Sequence, residues 1–310
     1  VFATVKYVFR APELDTDKPV VTPDGTASAD VDRTGTDEPD APGRTRREYC
    51  YNILVSGLDD DNGGSDTNIL VRFDVPNKRI DLVSLPRDTL LHNEYRNNKL
   101  NFAYAKGGTE LLMEQIENLL GVPVDFYVTV NLKGFIALVD QIDGVDFDIP
   151  INMDYDDPYQ DLHIHFTKGP RHPNGQEAME VVRFRQNNDG TGYGTEDIGR
   201  IGTQQAFLKA VAKQLLQIGN VKNIPALVDI FYTYVKTDLT TGNLVWLGNE
   251  ALNIGTENIH FATLPGDGSG YYNKQSVYVL DAQATCDLVN EALNPYNEAL
   301  TLEDMDILVP

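Results

Sequence analysis

Apolar and polar positions change their period several times along the chain. From Tyr51 to Gly57 the residues are almost continuously apolar, as in a strand buried on both faces. Asn68–Val75 and Arg79–Leu85 are two further strand-like runs, and Pro76-Asn77-Lys78 between them has the chemistry of a hairpin turn. The period then becomes helical. Thr109–Leu120 carries Leu111, Leu112, Ile116, Leu119 and Leu120 at helical spacing, with Thr109 expected as N-cap and Gly121 as the stop. Val124–Val130 predicts a strand, Leu132–Ile142 a helix, Val145–Pro150 a strand and Gly175–Val182 a short helix. Asp197–Ile218 predicts a long helix whose apolar positions include Ile201, Phe207, Leu208, Val211 and Leu215. Further helices are expected at Ile224–Tyr234, Thr241–Asn253 and Asp281–Leu293, and a strand at Ile259–Leu264. An early meander followed by interleaved helices and strands predicts the α/β class. The expected architecture is three-layer α/β/α, with a central mixed β-sheet covered by helices on both faces.

Residues Asp15–Arg47 lack this patterning and are rich in Asp, Thr, Pro and Gly, so they read as a linker or surface loop. Val1–Arg10 is apolar enough for a strand or helix stub, and is read as the tail of a removed membrane anchor. The expected organisation is therefore residues 1–48 as stub and acidic linker, and residues 49–310 as a single domain with a C-terminal extension from about residue 258. No run approaches the roughly 18 apolar residues of a membrane span. The chain reads as a mature or trimmed ectodomain.

The formal charge of −22 changes the picture in one respect: it argues against nucleic acid or an anionic surface as a partner held by bulk electrostatics. The few arginines then become informative, and none occurs from Ile201 onward. Cys50 and Cys286 are the only cysteines, far apart in sequence, and read as two free core residues or as a bridge formed in an oxidising compartment; their spacing suggests neither zinc nor a redox pair.

Four strings carry candidate chemistry. Asp59 and Ser65-Asp66-Thr67 flank a loop between two strands, where two carboxylates can share an Mg²⁺ ion or simply form a solvated acidic turn. Ser84-Leu85-Pro86-Arg87-Asp88-Thr89 sets an arginine and an aspartate just past a strand end, a common ligand position that equally suits a surface ion pair. In Val182-Arg183-Phe184-Arg185, an extended chain would place both arginines on one face, ready for an anion or for solvent. In Asp197-Ile198-Gly199-Arg200 and Gln204-Gln205, helical spacing puts Asp197, Arg200 and Gln204 on one face, as an anion site or an ordinary ion pair. His163, His165 and His172 read as an alternating strand face without an acidic ligand pattern, and Lys106-Gly107-Gly108-Thr109 lacks the order of a phosphate loop.

Taken in order, these strings resemble the LytR-CpsA-Psr family of cell-wall phosphotransferases, also called cell envelope-related transcriptional attenuators. The resemblance runs from about Tyr51 to Leu216. Besides the four strings it includes Asn52-Ile53-Leu54, Lys99-Leu100-Asn101-Phe102-Ala103-Tyr104-Ala105 and Asp125-Phe126-Tyr127-Val128-Thr129-Val130-Asn131 with Gly134-Phe135. It implies a membrane-anchored enzyme on the extracytoplasmic face of the plasma membrane of a Gram-positive-type bacterium. Such an enzyme moves an anionic glycopolymer, such as teichoic acid or capsular polysaccharide, from a polyprenyl-pyrophosphate carrier to peptidoglycan, using Mg²⁺. By the family motif, Asp59 and Asp66 would hold the metal. Arg87, Arg183, Arg185 and Arg200 would bind the pyrophosphate, with Gln204 in support. Asp88 or Asp197 would orient or deprotonate the attacking hydroxyl. Gly64 and Thr203 stand where the family usually has arginines. That departure keeps two alternatives open: a non-catalytic binder of the lipid-linked glycan, and a pyrophosphatase. A transcriptional role finds no DNA-reading motif in the sequence.

Overall fold

In a computed structural model, the three apolar runs after residue 50 form the expected antiparallel meander. The structure describes residues 10–14, 20–21, 27–28, 39–41, 44–58, 64–159, 161–193, 196–217, 230 and 233–310. The meander is β1 (Cys50–Leu58), β2 (Ser65–Asp74) and β3 (Arg79–Leu85), followed by α1 (Leu100–Leu120), β4 (Phe126–Asn131) and α2 (Leu132–Gln141). Next come β5 (Phe147–Ile149), β6 (Met153–Asp157), β7 (Leu162–Phe166), β8 (Gly169–Arg171), α3 (Gly175–Arg183) and α4 (Glu196–Gln217). The chain closes with β9 (Val235–Thr237), α5 (Thr241–Ile254), β10 (Ile259–Thr263), β11 (Gly266–Tyr272), β12 (Gln275–Leu280) and α6 (Ala282–Ala292). Contacts divide it into two compact units, residues 1–129 with 236–310, and residues 130–235.

The first unit is built on a six-stranded sheet of order β9-β4-β1-β2-β3-β10. It is mixed, because β10 runs parallel to β3 while β1, β2 and β3 alternate in direction. Strand alternation sends Leu54, Leu70, Val83 and Leu85 to one face, under Leu112, Ile116 and Leu120 of α1 and Cys286 and Val289 of α6. Tyr51, Ile53, Phe73 and Ile80 point to the other face, against Leu247 and Ile254 of α5. Helices thus cover both faces of a mixed sheet, as the pattern predicted.

Two details differ from expectation. Helix α1 begins nine residues before Thr109, at Leu100, and breaks at Gly107 and Gly108, where φ of 68° and ψ of −156° at Gly108 suit glycine. The leading segment is too short for its buried Leu100 and Ala103 to show a period. The stop at Gly121 is as expected: its φ is 65° and its N–H bonds Glu117 O at 2.9 Å. The linker expected to run through Arg47 gives way to built structure earlier, because Arg46 is buried and pairs with Asp125 at 2.5 Å. As the periods predicted, the segment from Asn258 supplies a strand, β10, to the sheet and a helix, α6, to its core.

The second unit has its own core, in which Val139, Ile149, Met153, Ile164, Phe166, Met179 and Phe207 are buried together. Asn131 caps α2 by accepting from Gly134 N at 2.8 Å, and Asn174 with Glu177 forms a capping box on α3. Hairpin β6–β7 pairs Asp154 with His165 and Asp156 with His163 in register. The stub at Val1–Arg10, except its last residue, Asp59, and most of the helix expected at Ile224–Tyr234 lie outside the described residues.

Candidate functional site

The string at the end of β3 is a turn whose backbone carbonyls are engaged. Pro86 O accepts from Thr89 N at 3.0 Å and from Thr89 Oγ1 at 2.7 Å. Arg87 O accepts from Asn101 N at 2.9 Å, Asp88 O from Tyr278 N at 2.8 Å, and Thr89 O from Leu100 N at 3.0 Å. Four successive carbonyls are therefore satisfied by the turn itself, the start of α1 and strand β12. What this turn offers to solvent is side-chain charge.

That charge is arranged as two cations on two carboxylates. Arg87 Nη1 donates to Asp66 Oδ1 at 2.6 Å, and Arg87 Nε lies 3.5 Å from Asp88 Oδ1. Lys99 Nζ stands 3.3 Å from the same Asp88 oxygen, which has no hydrogen-bond partner among the described residues. The four side chains retain 20–42% of their accessible surface, so the pairs are neither sealed in the core nor free in solvent. Lys99 was not singled out from sequence. Its signal lay in the helix start at Leu100, which the period did not reveal. Asp66 opens β2 beside this cluster, while its expected metal partner Asp59 is outside the description. Gly57 matters locally, since a Cβ there would lie 3.3 Å from Thr67 Cβ, the neighbour across the strand pair.

In the second unit the arginine string is not an extended run. Arg183 is the last residue of α3, Phe184 is its C-cap, and only then does the chain extend. The alternation argument still sends Phe184 inward: it is fully buried, with its ring 5.7 Å from that of Tyr193. Arg183 is half-buried and Arg185 exposed. Gln204 on α4 donates its Nε2 hydrogen to Val182 O at 2.8 Å, which ties α4 to the end of α3 beside Arg183. Gly199 has a packing reason, since a Cβ there would come 2.2 Å from Tyr193 Cβ. Arg200 is half-buried one residue later on α4, and the backbone of Asp197 is helical as expected.

The two departures differ in setting. Thr203 is buried, its Oγ1 donating to Gly199 O at 3.1 Å. Gly64 is only half-buried, and among the described residues a Cβ there would find nothing closer than Asn101 O at 3.8 Å.

Other resemblance residues turn out to be scaffolding. Asn52 Nδ2 donates to Pro123 O and Leu293 O at 3.0 and 3.1 Å, and Asp125 accepts from Asn52 N at 2.7 Å as well as from Arg46. Cys50 and Cys286 are free and buried, and burial pushes the Cys50 thiol up to about 12. The reading that no acidic ligands accompany the histidines needs correction. His163 and His165 do form an outward strand face, but Asp156 and Asp154 lie across from them on β6.

The LytR_cpsA_psr family model matches residues 22–294. The teichoic acid transferase TagV of Bacillus subtilis, named polyisoprenyl-teichoic acid–peptidoglycan teichoic acid transferase, is 31% identical over 248 residues, covering 76% of this chain. The chain spans 61% of that relative's length. The TagU protein of Bacillus cereus, which bears the same transferase name, is 31% identical over 267 residues, 84% of this chain and 83% of its own. The crystal structure of B. subtilis TagV superposes with a TM-score of 0.67 at 26% identity, covering 84% of this chain and 98% of that one.

Proposed function

This chain belongs to the LytR-CpsA-Psr family, and from that premise we propose that it transfers an anionic glycopolymer from a polyprenyl-pyrophosphate carrier to peptidoglycan on the extracytoplasmic face of the membrane. The names of the TagU and TagV relatives support the donor and acceptor classes. Among the described residues no helix is long and apolar enough to cross a membrane.

The observation that carries the reading is the turn after β3. A fixed backbone presents Arg87 and Lys99, both partly exposed, each within 3.5 Å of a carboxylate. An anionic substrate competes with Asp66 for Arg87, and a planar guanidinium suits phosphate oxygens. In the second unit the assignment rests on Arg183, Arg185 and Arg200, with Gln204 as the residue that fixes the Arg183 backbone.

Asp66, with Asp59, would hold Mg²⁺. The described partner fits, because Asp66 is an exposed carboxylate and a hard oxygen donor, held here by the Arg87 guanidinium at 2.6 Å. Bound there, the ion supplies charge neutralisation to the pyrophosphate.

In the proposed reaction a peptidoglycan hydroxyl attacks the sugar-linked phosphorus. A new P–O bond forms, the P–O bond to the carrier breaks, and polyprenyl phosphate leaves. The hydroxyl proton passes to Asp88 or Asp197 and then to solvent. Arg87 and Lys99 stabilise charge as it moves onto the leaving phosphate.

The test pairs binding with turnover. A short-chain polyprenyl pyrophosphate at a hundred times its Kd stabilises the protein by about 2.7 kcal/mol. That shift disappears in Arg87→Ala and Arg183→Ala, and with lipid-linked glycan and peptidoglycan fragments the wild type forms the phosphodiester. A shift without product, with Mg²⁺ present, would instead support the non-catalytic binder to which Gly64 and Thr203 point.

A further inference from the structure

The hairpin β6–β7 sits in the second unit and takes no part in the chemistry above. We propose that its outer face is a binding site for a zinc-type divalent ion, with His163, His165 and Asp156 as ligands.

The placement follows from strand geometry. Leu162, Ile164 and Phe166 alternate into the core of the unit, which forces His163 and His165 onto the opposite face, two residues apart. The antiparallel register sets Asp156 directly across from His163, and Asp154 directly across from His165. Asp156 Oδ1 lies 2.5 Å from His163 Nδ1 and 3.4 Å from His165 Nε2. One ligand atom from each of the three residues falls within 4.8 Å of the others. Two atoms coordinating the same tetrahedral zinc stand roughly 3.3–3.6 Å apart. The His165–Asp156 spacing already matches that, and the His163–Asp156 contact needs to open by under about 1 Å, a small rotation of exposed side chains.

Two further features separate this cluster from a chance group of surface charges. The first is an outer layer of carboxylates. Asp154 Oδ1 lies 2.8 Å from His165 Nδ1, so the proton is held there and Nε2 is left with its lone pair toward Asp156. His163 Nδ1 holds its hydrogen on Asp156 at 2.5 Å, with Asp161 Oδ1 3.6 Å from Nε2 on the other side of the ring, so the ion would take the place of that proton between Nδ1 and the Asp156 carboxylate. This carboxylate–histidine–metal order is what orients imidazole ligands and raises their basicity. The second is a braced backbone. Asp154 N donates to Asn187 Oδ1 at 2.7 Å, Asp156 N to Asn188 Oδ1 at 2.6 Å, and Asn188 Nδ2 to Asp156 O at 3.1 Å. The strand bearing the carboxylates is thus held from its outer edge while the strand bearing the histidines is held by the core.

The donor set selects the ion. Two imidazoles and one carboxylate suit zinc and its neighbours among the divalent transition metals, whereas Mg²⁺ and Ca²⁺ take oxygen ligands. Three protein ligands leave a fourth position for water or for an anionic group of another molecule. The ion would clip β6 to β7 on the surface of this unit.

Zinc chloride is titrated into the full chain by calorimetry at pH 7.5, with cobalt absorption as a readout of coordination. The expected result is one-to-one saturable binding that excess Mg²⁺ does not displace. His163→Gln and His165→Gln each weaken it at least tenfold, and Asp154→Asn weakens it about tenfold through the outer layer. His172→Gln, a histidine elsewhere in this unit, leaves it unchanged. All of these side chains are exposed, so the variants fold. Absence of saturable binding well above micromolar zinc overturns the proposal, as does binding that survives both histidine substitutions or is lost equally in His172→Gln.

Discussion

The two ends of the central sheet both carry arginines paired with aspartates, yet they differ sharply in burial. At the end where β1 begins, Arg46–Asp125 and Arg72–Asp81 are sealed, each side chain retaining 5% of its surface or less. Arg47 and Arg79 extend the set onto Asp74 and Asp81. At the other end, where β3 stops, Arg87 and Lys99 meet Asp66 and Asp88 at comparable distances but with 20–42% of their surface open. The chemistry of the pairs is the same and the solvent is not. A sealed pair has already lost its hydration and has no room for another anion, so its arginine is committed to the fold. A half-open pair loses little when a phosphate replaces the carboxylate, so its arginine is available to a ligand. Pairing alone does not tell an arginine committed to the fold from one open to solvent in this protein; burial of the pair does.

The contrast can be broken most directly at the sealed end. Asp125→Ala takes a buried carboxylate away from Arg46 and removes the acceptor for Asn52 N, so urea unfolding should show a loss of about 3–5 kcal/mol. A loss below about 1 kcal/mol would mean that the sealed end is not sealed in solution. Arg79→Ala is the intermediate case, since Asp81 keeps Arg72 as a partner. It should cost about 1–2 kcal/mol by the same measurement. Arg87→Ala should change unliganded stability by no more than about 1 kcal/mol while abolishing the stabilisation by polyprenyl pyrophosphate. If it destabilised the free protein as Asp125→Ala does, the two ends would be alike and the site assignment would fall.

The smallest effect is expected from pairs that are switchable rather than permanent. Hydrogen bonding to Asp156 raises the pKa of His163 above its ordinary 6.5, and hydrogen bonding to Asp154 does the same for His165. Asp161 adds to the first, and both rings also lie near Glu180 on α3. Because the folded-state values are raised, these pairs contribute their full stabilisation below pH 6.5. The contribution is lost as pH rises through the folded values. An NMR titration of the two imidazoles should give midpoints above 6.5, and midpoints at or below 6.5 would mean that the cross-strand pairs do not form.

Much of the fold was legible because it depends on local periods. Strands β1 to β3, helices α2, α4, α5 and α6, the hairpin at Pro76–Lys78 and the stop at Gly121 all announce themselves within a few residues of chain. The sequence by itself also determined the α/β class and, through strings such as Ser84–Asp88, the family. Only the tertiary structure decided the rest, since it depends on residues brought together from far apart. Lys99 joins Asp88 because α1 starts beneath the β3 turn, and Tyr278 fixes that turn from a strand 190 residues later. Arg46 leaves an acidic linker for the core because Asp125, 79 residues away, is there to receive it. His163 and His165 acquire acidic partners only when β6 pairs with β7 in one register. A period repeats along the chain and can be read there, whereas the pairing of one charge with another is settled by burial and register, which exist only once the chain has folded.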